Sequence, residues 1–219
     1  MIRALGIAVG VFACVPTFAQ DAVPFSEARG FRFEGRGNAL VISEVTANRE
    51  LKRIPVAAAD GSLSSRVSTI RFSGERQSFI VGFESLPEIW EISIDPKSPD
   101  IYQGLVHDFR LGEGVPERGF LGVRRTKLDA ALPKFSIDRS GAYVAGCRAD
   151  SPLDACALAL VHMDVRRKIA QFPIEGEPDL ARARDVVRDQ RPWLELPDYA
   201  GHVRWRIDLA RDQLEKVAP

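Results

Sequence analysis

The chain has 219 residues, 45% hydrophobic and 27% charged, ordinary values for a globular protein of about one domain. Lys plus Arg and Asp plus Glu each number 30, so the formal net charge is zero. That balance excludes a general attraction to nucleic acid or to an anionic membrane, and leaves any charged partner to a local patch.

The N-terminus reads as an export signal. Met1-Ile2-Arg3 is positive, Ala4 to Val15 is apolar, and Thr17-Phe18-Ala19 supplies small residues where a signal peptidase cuts. The apolar run is too short to span a bilayer. Cleavage after Ala19 is expected, giving a mature domain over 20–219 in a bacterial periplasm. Cys14 after Val11-Phe12-Ala13 is a lipoprotein variant of this layout, but Phe12 fits that signal poorly.

Next comes a repeat. An alternating apolar strand, an acidic or small residue, a polar turn and a second strand recur from Leu40, Ile89, Leu160 and Val203. Val45, Ile94, Val165 and Leu209 align as the last apolar residue before the turn. Two copies are preceded by another strand–turn–strand element, from Ile70 and from Phe135, and the first copy has a shortened one from Phe31. The two elements together make a four-stranded unit of roughly 40–50 residues, the size of a propeller blade. The expected fold is all-β and β-propeller-like with about four blades, a two-sheet sandwich being the runner-up. Trp90 and Trp205 fall on the apolar face of their strands and are expected in sheet-to-sheet cores. His162 and His202 fall on polar faces.

One interval is longer because of an insertion over 102–134, and Tyr102 to Lys127 is its Gly-rich centre. Hydrophobic residues recur through that stretch, which predicts an ordered loop packed on the scaffold. His107, Arg110, Arg124, Arg125 and Lys127 are expected to face one cavity and accept an anion. Arginine grips carboxylates in two-pronged fashion, and His107 could ligate iron or move protons. The plainer alternative pairs these arginines with Asp108, Glu113 and Glu117 on the surface.

Cys147 and Cys156 remain once Cys14 leaves with the signal. They flank the Asp150-Ser151-Pro152 turn, and an even pair in an oxidising compartment predicts a structural disulfide. Pro178 to Gln190 reads as a helix before the last strands, with Ala181, Ala183, Val186 and Val187 on its apolar side. No G-x-S-x-G elbow, HExxH or CxxCH occurs, so neither a hydrolase site nor a covalent c-type haem is indicated.

Four segments then suggest a family. PEIWEIS (Pro87 to Ser93), GLVHDFRLGEG (Gly104 to Gly114), RRTKLDAALPKF (Arg124 to Phe135) and DVRRKIAQFPIEGEP (Asp164 to Pro178) resemble the haem d1 propeller family, in that family's order. The family includes the catalytic domain of cytochrome cd1 nitrite reductase, and the strongest likeness is to the periplasmic d1-haem maturation propellers of denitrifiers. The resemblance runs from about Phe31 to Pro178. It implies an eight-bladed propeller holding haem d1 or a precursor in a central funnel. The family domain is about twice as long, and its early blades, which carry the proximal iron-ligating histidine, have no counterpart here. Neither a proximal ligand nor nitrite reductase activity is carried over.

Two functions follow. The first is a tetrapyrrole-binding or maturation propeller, using the basic residues of the insertion for the ligand's carboxylates. The second is a non-catalytic interaction propeller without the cofactor, with a protein partner or self-association through an open propeller edge.

Overall fold

The computed structural model describes residues 23–102, 116–152 and 154–217. The export signal lies outside the described residues, as does most of the Gly-rich insertion. Sixteen strands form four antiparallel four-stranded sheets, each a meander in chain order. The first sheet is β1 (Phe25–Ala28), β2 (Phe31–Arg36), β3 (Ala39–Glu44) and β4 (Arg49–Pro55). The second is β5 (Val67–Ser73), β6 (Ser78–Phe83), β7 (Glu88–Ser93) and β8 (Val123–Lys127). The third is β9 (Lys134–Ile137), β10 (Tyr143–Cys147), β11 (Ala155–His162) and β12 (Arg167–Glu175). The fourth is β13 (Arg184–Arg188), β14 (Arg191–Pro197), β15 (Val203–Asp208) and β16 (Gln213–Lys216).

The arrangement is β-propeller-like. The opening strands of successive sheets are neighbours, β1 against β5 and β5 against β9, while the closing strands lie at the far edges. Pro55 ends β4 and Pro173 sits in β12, and an edge strand tolerates proline because its outer N–H groups have no strand to pair with.

Three apolar cores lie between sheets. Phe33, Leu40 and Ile42 of the first sheet meet Phe79, Phe83 and Trp90 of the second, with Phe33 stacked on Phe79 at 3.9 Å. Ile80 and Ile89 of the second meet Phe135, Val144 and Val161 of the third. Ala145, Leu158 and Leu160 of the third meet Leu194, Trp205 and Ile207 of the fourth. Trp90 and Trp205 are thus both core residues. β6 and β7 are buried throughout, because the second sheet has neighbours on both faces. The far faces of the end sheets carry ion pairs instead: Arg32–Glu27, Arg36–Glu34 and Arg53–Glu50 on the first, Arg188 and Arg206 on Glu195 and Arg191 on Asp208 on the fourth.

One backbone bond recurs in every sheet. The residue after the third strand donates its N–H to the turn between the first two, Val45 to Gly30, Ile94 to Gln77 and Met163 to Ala142, or in the fourth sheet to the start of the second strand, Leu209 to Pro192, at 2.7–3.1 Å. The repeat is therefore anchored on Met163 in its third copy rather than on Val165. Three residues past the anchor, Asn48, Arg166 and Asp212 adopt left-handed φ of 45–54°. In the second sheet residues 94–122 replace this turn.

That insertion changes one strand pairing. The partner of β7 is β8, Ile89 opposite Thr126 and Glu91 opposite Arg124, and not the segment up to Val106. Ile101 and Glu117 exchange backbone hydrogen bonds at the base of the insertion. Gly119 and Gly122 are confined there: a Cβ would come within 2.2 Å of Pro99 O and 2.1 Å of Arg118 O.

The expected helix over Pro178 to Gln190 is also corrected. A single 3-10 turn spans Leu180–Arg182, and β13 follows. β13 and β14 are joined by Asp189 and Gln190, both left-handed at φ 49° and 60°, the twist a two-residue hairpin needs. Neither residue is glycine, so the turn carries no composition signal.

Cys147 and Cys156 are bonded across β10 and β11 with Cα atoms 5.4 Å apart. Both are buried in the core between the third and fourth sheets. Just outside that core Arg148 gathers Asp129 at 2.5 Å, Asp150 at 2.7 Å and Gln171 at 2.9 Å, tying the link between sheets to the third sheet.

Replacing both cysteines by alanine should lower the unfolding free energy by about 2–3 kcal/mol, the loop-closure value for a ring of about ten residues. Urea titration should show a lower midpoint at unchanged slope; an unchanged midpoint would mean that strand pairing alone holds this hairpin.

Lys168, followed by Arg148, holds the Asp129 carboxyl down to about 2 against the opposing effect of burial. A depressed folded pKa stabilises above the unfolded value, near 3.9, and that stabilisation is lost as pH falls toward 2. Solvent screening keeps it small, since the carboxylate is half exposed. The Tm gap between wild type and Asp129→Asn should be constant above about pH 5 and close toward pH 2. Parallel curves down to pH 2 would contradict the assignment.

Candidate functional site

A meander brings its first and third turns to the same end of the sheet. The 74–77 and 138–142 turns, the 163–166 turn and the base of the insertion therefore share one end of the molecule. Two clefts open there.

The cleft between the second and third sheets has a volume of about 390 Å³ and is lined by Arg76, Glu91, Tyr102, Arg124, Met163 and Arg166 among others. Arg76 forks onto Glu91 at 2.9 and 3.2 Å and reaches Asp164 at 2.7 Å. Burial opposes its charge, but these two carboxylates outweigh burial and keep it fully protonated. Arg124 Nη2 donates to Ser98 Oγ at 3.2 Å and Pro99 O at 2.9 Å, fixing the guanidinium at the insertion's base. Arg166 is exposed and has no ion-pair partner among the described residues.

The second cleft, between the third and fourth sheets, has a volume of about 500 Å³ and is lined by Glu75, Asp138, Tyr143, Asp185, Val187 and Trp193 among others. Three carboxylates meet one cation there, the side chain of Arg139. The Tyr143 hydroxyl is pushed up first by burial and then by Asp212, Asp138 and Asp164, which registers a negative field.

The basic cluster read from sequence is divided by the β pleat. Arg124 faces the 390 Å³ cleft, whereas Arg125 and Lys127 take the opposite face of β8. Arg125 lies 4.5 Å over the Trp90 ring, donates to Ala57 O at 2.8 Å and pairs with Glu88 at 3.2 Å. It belongs to the junction of the first and second sheets. Lys127 is exposed; its charge adds to the Ser62 hydrogen bonds that hold Asp60 low. The three therefore do not line one cavity, because neighbouring residues of a strand point to opposite faces. His107 and Arg110 lie outside the described residues, as do Asp108 and Glu113. Glu117 accepts from Lys52 at 3.2 Å.

His162 packs edge-on against Tyr143 at 4.7 Å and accepts from the Asp164 N–H at 3.3 Å. His202 is exposed, 3.7 Å from Asp198. Among the described residues no three His, Cys, Asp or Glu side chains are grouped to hold a metal ion. The sequence reading missed Arg76, Asp164 and Arg166, which sit in turns. A usable signal was Glu91 in EIWEIS: a carboxylate inside a strand buried on both faces must find a cation.

The fold and clefts define a β-propeller-like protein. Among solved structures it is similar to the dihydro-heme d1 dehydrogenase NirN in complex with DHE, at TM-score 0.66 and 21% identity, covering 89% of this chain and 36% of that one. It is also similar to apo AztD from Citrobacter koseri, at TM-score 0.50 and 10% identity, covering 89% of this chain and 45% of that one. The chain thus spans less than half the length of both. No protein-family model and no curated protein matches it. Among the described residues no helix is long and apolar enough to cross a membrane.

Arg125→Ala should destabilise the protein by about 3 kcal/mol, because it removes the cation from Glu88, whose side chain is only 6% exposed and keeps the Trp90 indole N–H at 2.7 Å but no positive charge. Lys127→Ala should change stability by less than about 0.5 kcal/mol. Equal losses in chemical denaturation would mean that Arg125 is not the structural residue of the pair.

Proposed function

We propose that the chain is an exported, periplasmic propeller-type scaffold that binds a carboxylate-bearing tetrapyrrole related to haem d1. The observation that carries this reading is the likeness to NirN, solved in complex with DHE, over 89% of this chain. The ordered motifs PEIWEIS, GLVHDFRLGEG, RRTKLDAALPKF and DVRRKIAQFPIEGEP, which resemble the haem d1 propellers, support it. The residues of the 390 Å³ cleft fit such a ligand in part. Arg124 and Arg166 offer guanidinium groups for carboxylates at the base of the insertion, with Tyr102 and Met163 as flat and apolar neighbours for the macrocycle. Arg76 is already committed to Glu91 and Asp164, and serves to hold the cleft's floor. His107 and Arg110, which belong to the same insertion, are the remaining candidates for iron and carboxylate.

A second reading is favoured by one observation. The larger cleft at the same end is acidic, which repels a polycarboxylate and suits an interaction propeller that carries no cofactor.

Absorption titration with a haem carrying several carboxylates separates the two. Wild type and Lys127→Ala should bind alike, and Arg124→Ala/Arg166→Ala should bind about tenfold or more weakly. A wild type that takes up no haem, or a double variant that binds as well as wild type, would overturn the tetrapyrrole reading of this cleft.

A further inference from the structure

The outer face of the fourth sheet has no sheet packed on it, and its charges follow a pattern. The strand register sets two neighbouring rows of outward side chains across β13 to β16. One row runs Arg184, Glu195, Arg206, Glu215, so the signs alternate plus, minus, plus, minus. The other runs Val186, Trp193, Asp208, Gln213. These rows point outward because Leu194, Leu196 and Ile207, the residues that alternate with them, fill the core against the third sheet.

The middle of the charged row is satisfied within the sheet. Arg206 donates to Glu195 at 2.9 Å, and Glu195, with a side chain only 11% exposed, also accepts from Arg188 at 3.2 Å. Asp208 in the other row is held by Arg191. The ends of the charged row are not satisfied. Arg184 on β13 and Glu215 on β16 are exposed, and neither has an ion-pair partner among the described residues. They stand at opposite edges of the sheet, three strand spacings or about 14 Å apart, too far to pair with each other.

A row of alternating sign is complementary to its own reversal. When a second copy is turned over about an axis parallel to the strands, its β16 lies over β13 and its β15 over β14. Arg184 then faces Glu215 of the second copy, and Glu195 faces Arg206 of the second copy. Each contact occurs twice, as a two-fold axis requires. In the other row Val186 and Trp193 face Gln213 and Asp208 of the second copy, so no like charges meet. The outer face of the first sheet lacks this property. Its row Glu27, Arg32, Ser43, Glu50 would set Glu27 against Glu50 of the second copy.

We propose that the chain forms a two-fold dimer in which the outer faces of two fourth sheets pack with their strands aligned, fixed by an Arg184–Glu215 pair at each edge. The inference does not rest on the tetrapyrrole reading, and the dimer leaves the cleft between the second and third sheets open. Its edge pairs lie in contact with water, so association is weak and sensitive to salt.

Sedimentation equilibrium of the full chain tests this. At about 20 mM salt and about 100 µM protein, wild type should be a monomer–dimer mixture, and about 500 mM salt should shift it toward monomer. Arg184→Glu and Glu215→Arg should each raise the dissociation constant about tenfold or more, since each sets like charges opposite one another at both edges. Mixed in equal amounts, the two variants should associate as tightly as wild type, because one edge then carries the native pair and the other its reversal. Lys127→Glu makes the same change in net charge on another sheet. It should neither weaken the dimer by that factor nor restore association when mixed with Glu215→Arg. Wild type that stays monomeric at low salt, species growing beyond the dimer, Glu215→Arg that dimerises like wild type, a mixture no tighter than its components, or equal rescue by Lys127→Glu would overturn the proposal.

Discussion

Each four-stranded sheet here has two faces, and both must be settled. The three apolar contacts between sheets, centred on Phe33–Phe79, on Ile89–Phe135 and on Leu160–Leu194, settle six of the eight faces. The remaining two, at the ends of the row, are covered by arginine–carboxylate pairs. Packing between sheets therefore decides where the strands lie.

That packing also decides where chemistry is feasible. Cores occupy the space between sheets along most of their length, so open volume is left where turns diverge. Both clefts lie at the end that gathers the first and third turns of the meanders. Their charges differ because their turns differ. Arg124 and Arg166 project at the junction of the second and third sheets, and Glu75, Asp138 and Asp185 at the junction of the third and fourth. The recurrent bond from the third strand to the first turn holds these turns in register, in the second sheet as well, where 94–122 interrupts the repeat. An insertion is tolerated at that point because it leaves the ladder between β7 and β8 intact.

The strands legible in the sequence are those with period-two patterning and a buried aromatic or aliphatic series, such as Ile89 to Ser93 and Leu160 to His162. Their placement in a propeller-like array followed from the repeat length. β13 was not legible, because Arg184 to Arg188 alternates nothing and its hairpin turn uses Asp189 and Gln190 in place of glycine. β8 was misplaced for another reason. Its partner is separated from it by 29 intervening residues of insertion, 94–122, which no local pattern can bridge. Within the site, the basic residues of β8 were recognised but their division was not. Reading Arg124 and Arg125 as one cluster treats a strand as if it had one face. Arg76 and Glu91 escaped because a long-range ion pair leaves no spacing to find.

The central functional claim is that a tetrapyrrole sits at the insertion end, over the cleft between the second and third sheets. Diffraction at the iron edge from crystals grown with an iron tetrapyrrole bearing several carboxylates tests it most directly. The account predicts one anomalous peak outside that cleft's mouth, beside Arg124 and Arg166. A peak over the acidic cleft between the third and fourth sheets, or at the opposite end of the sheets, would contradict it.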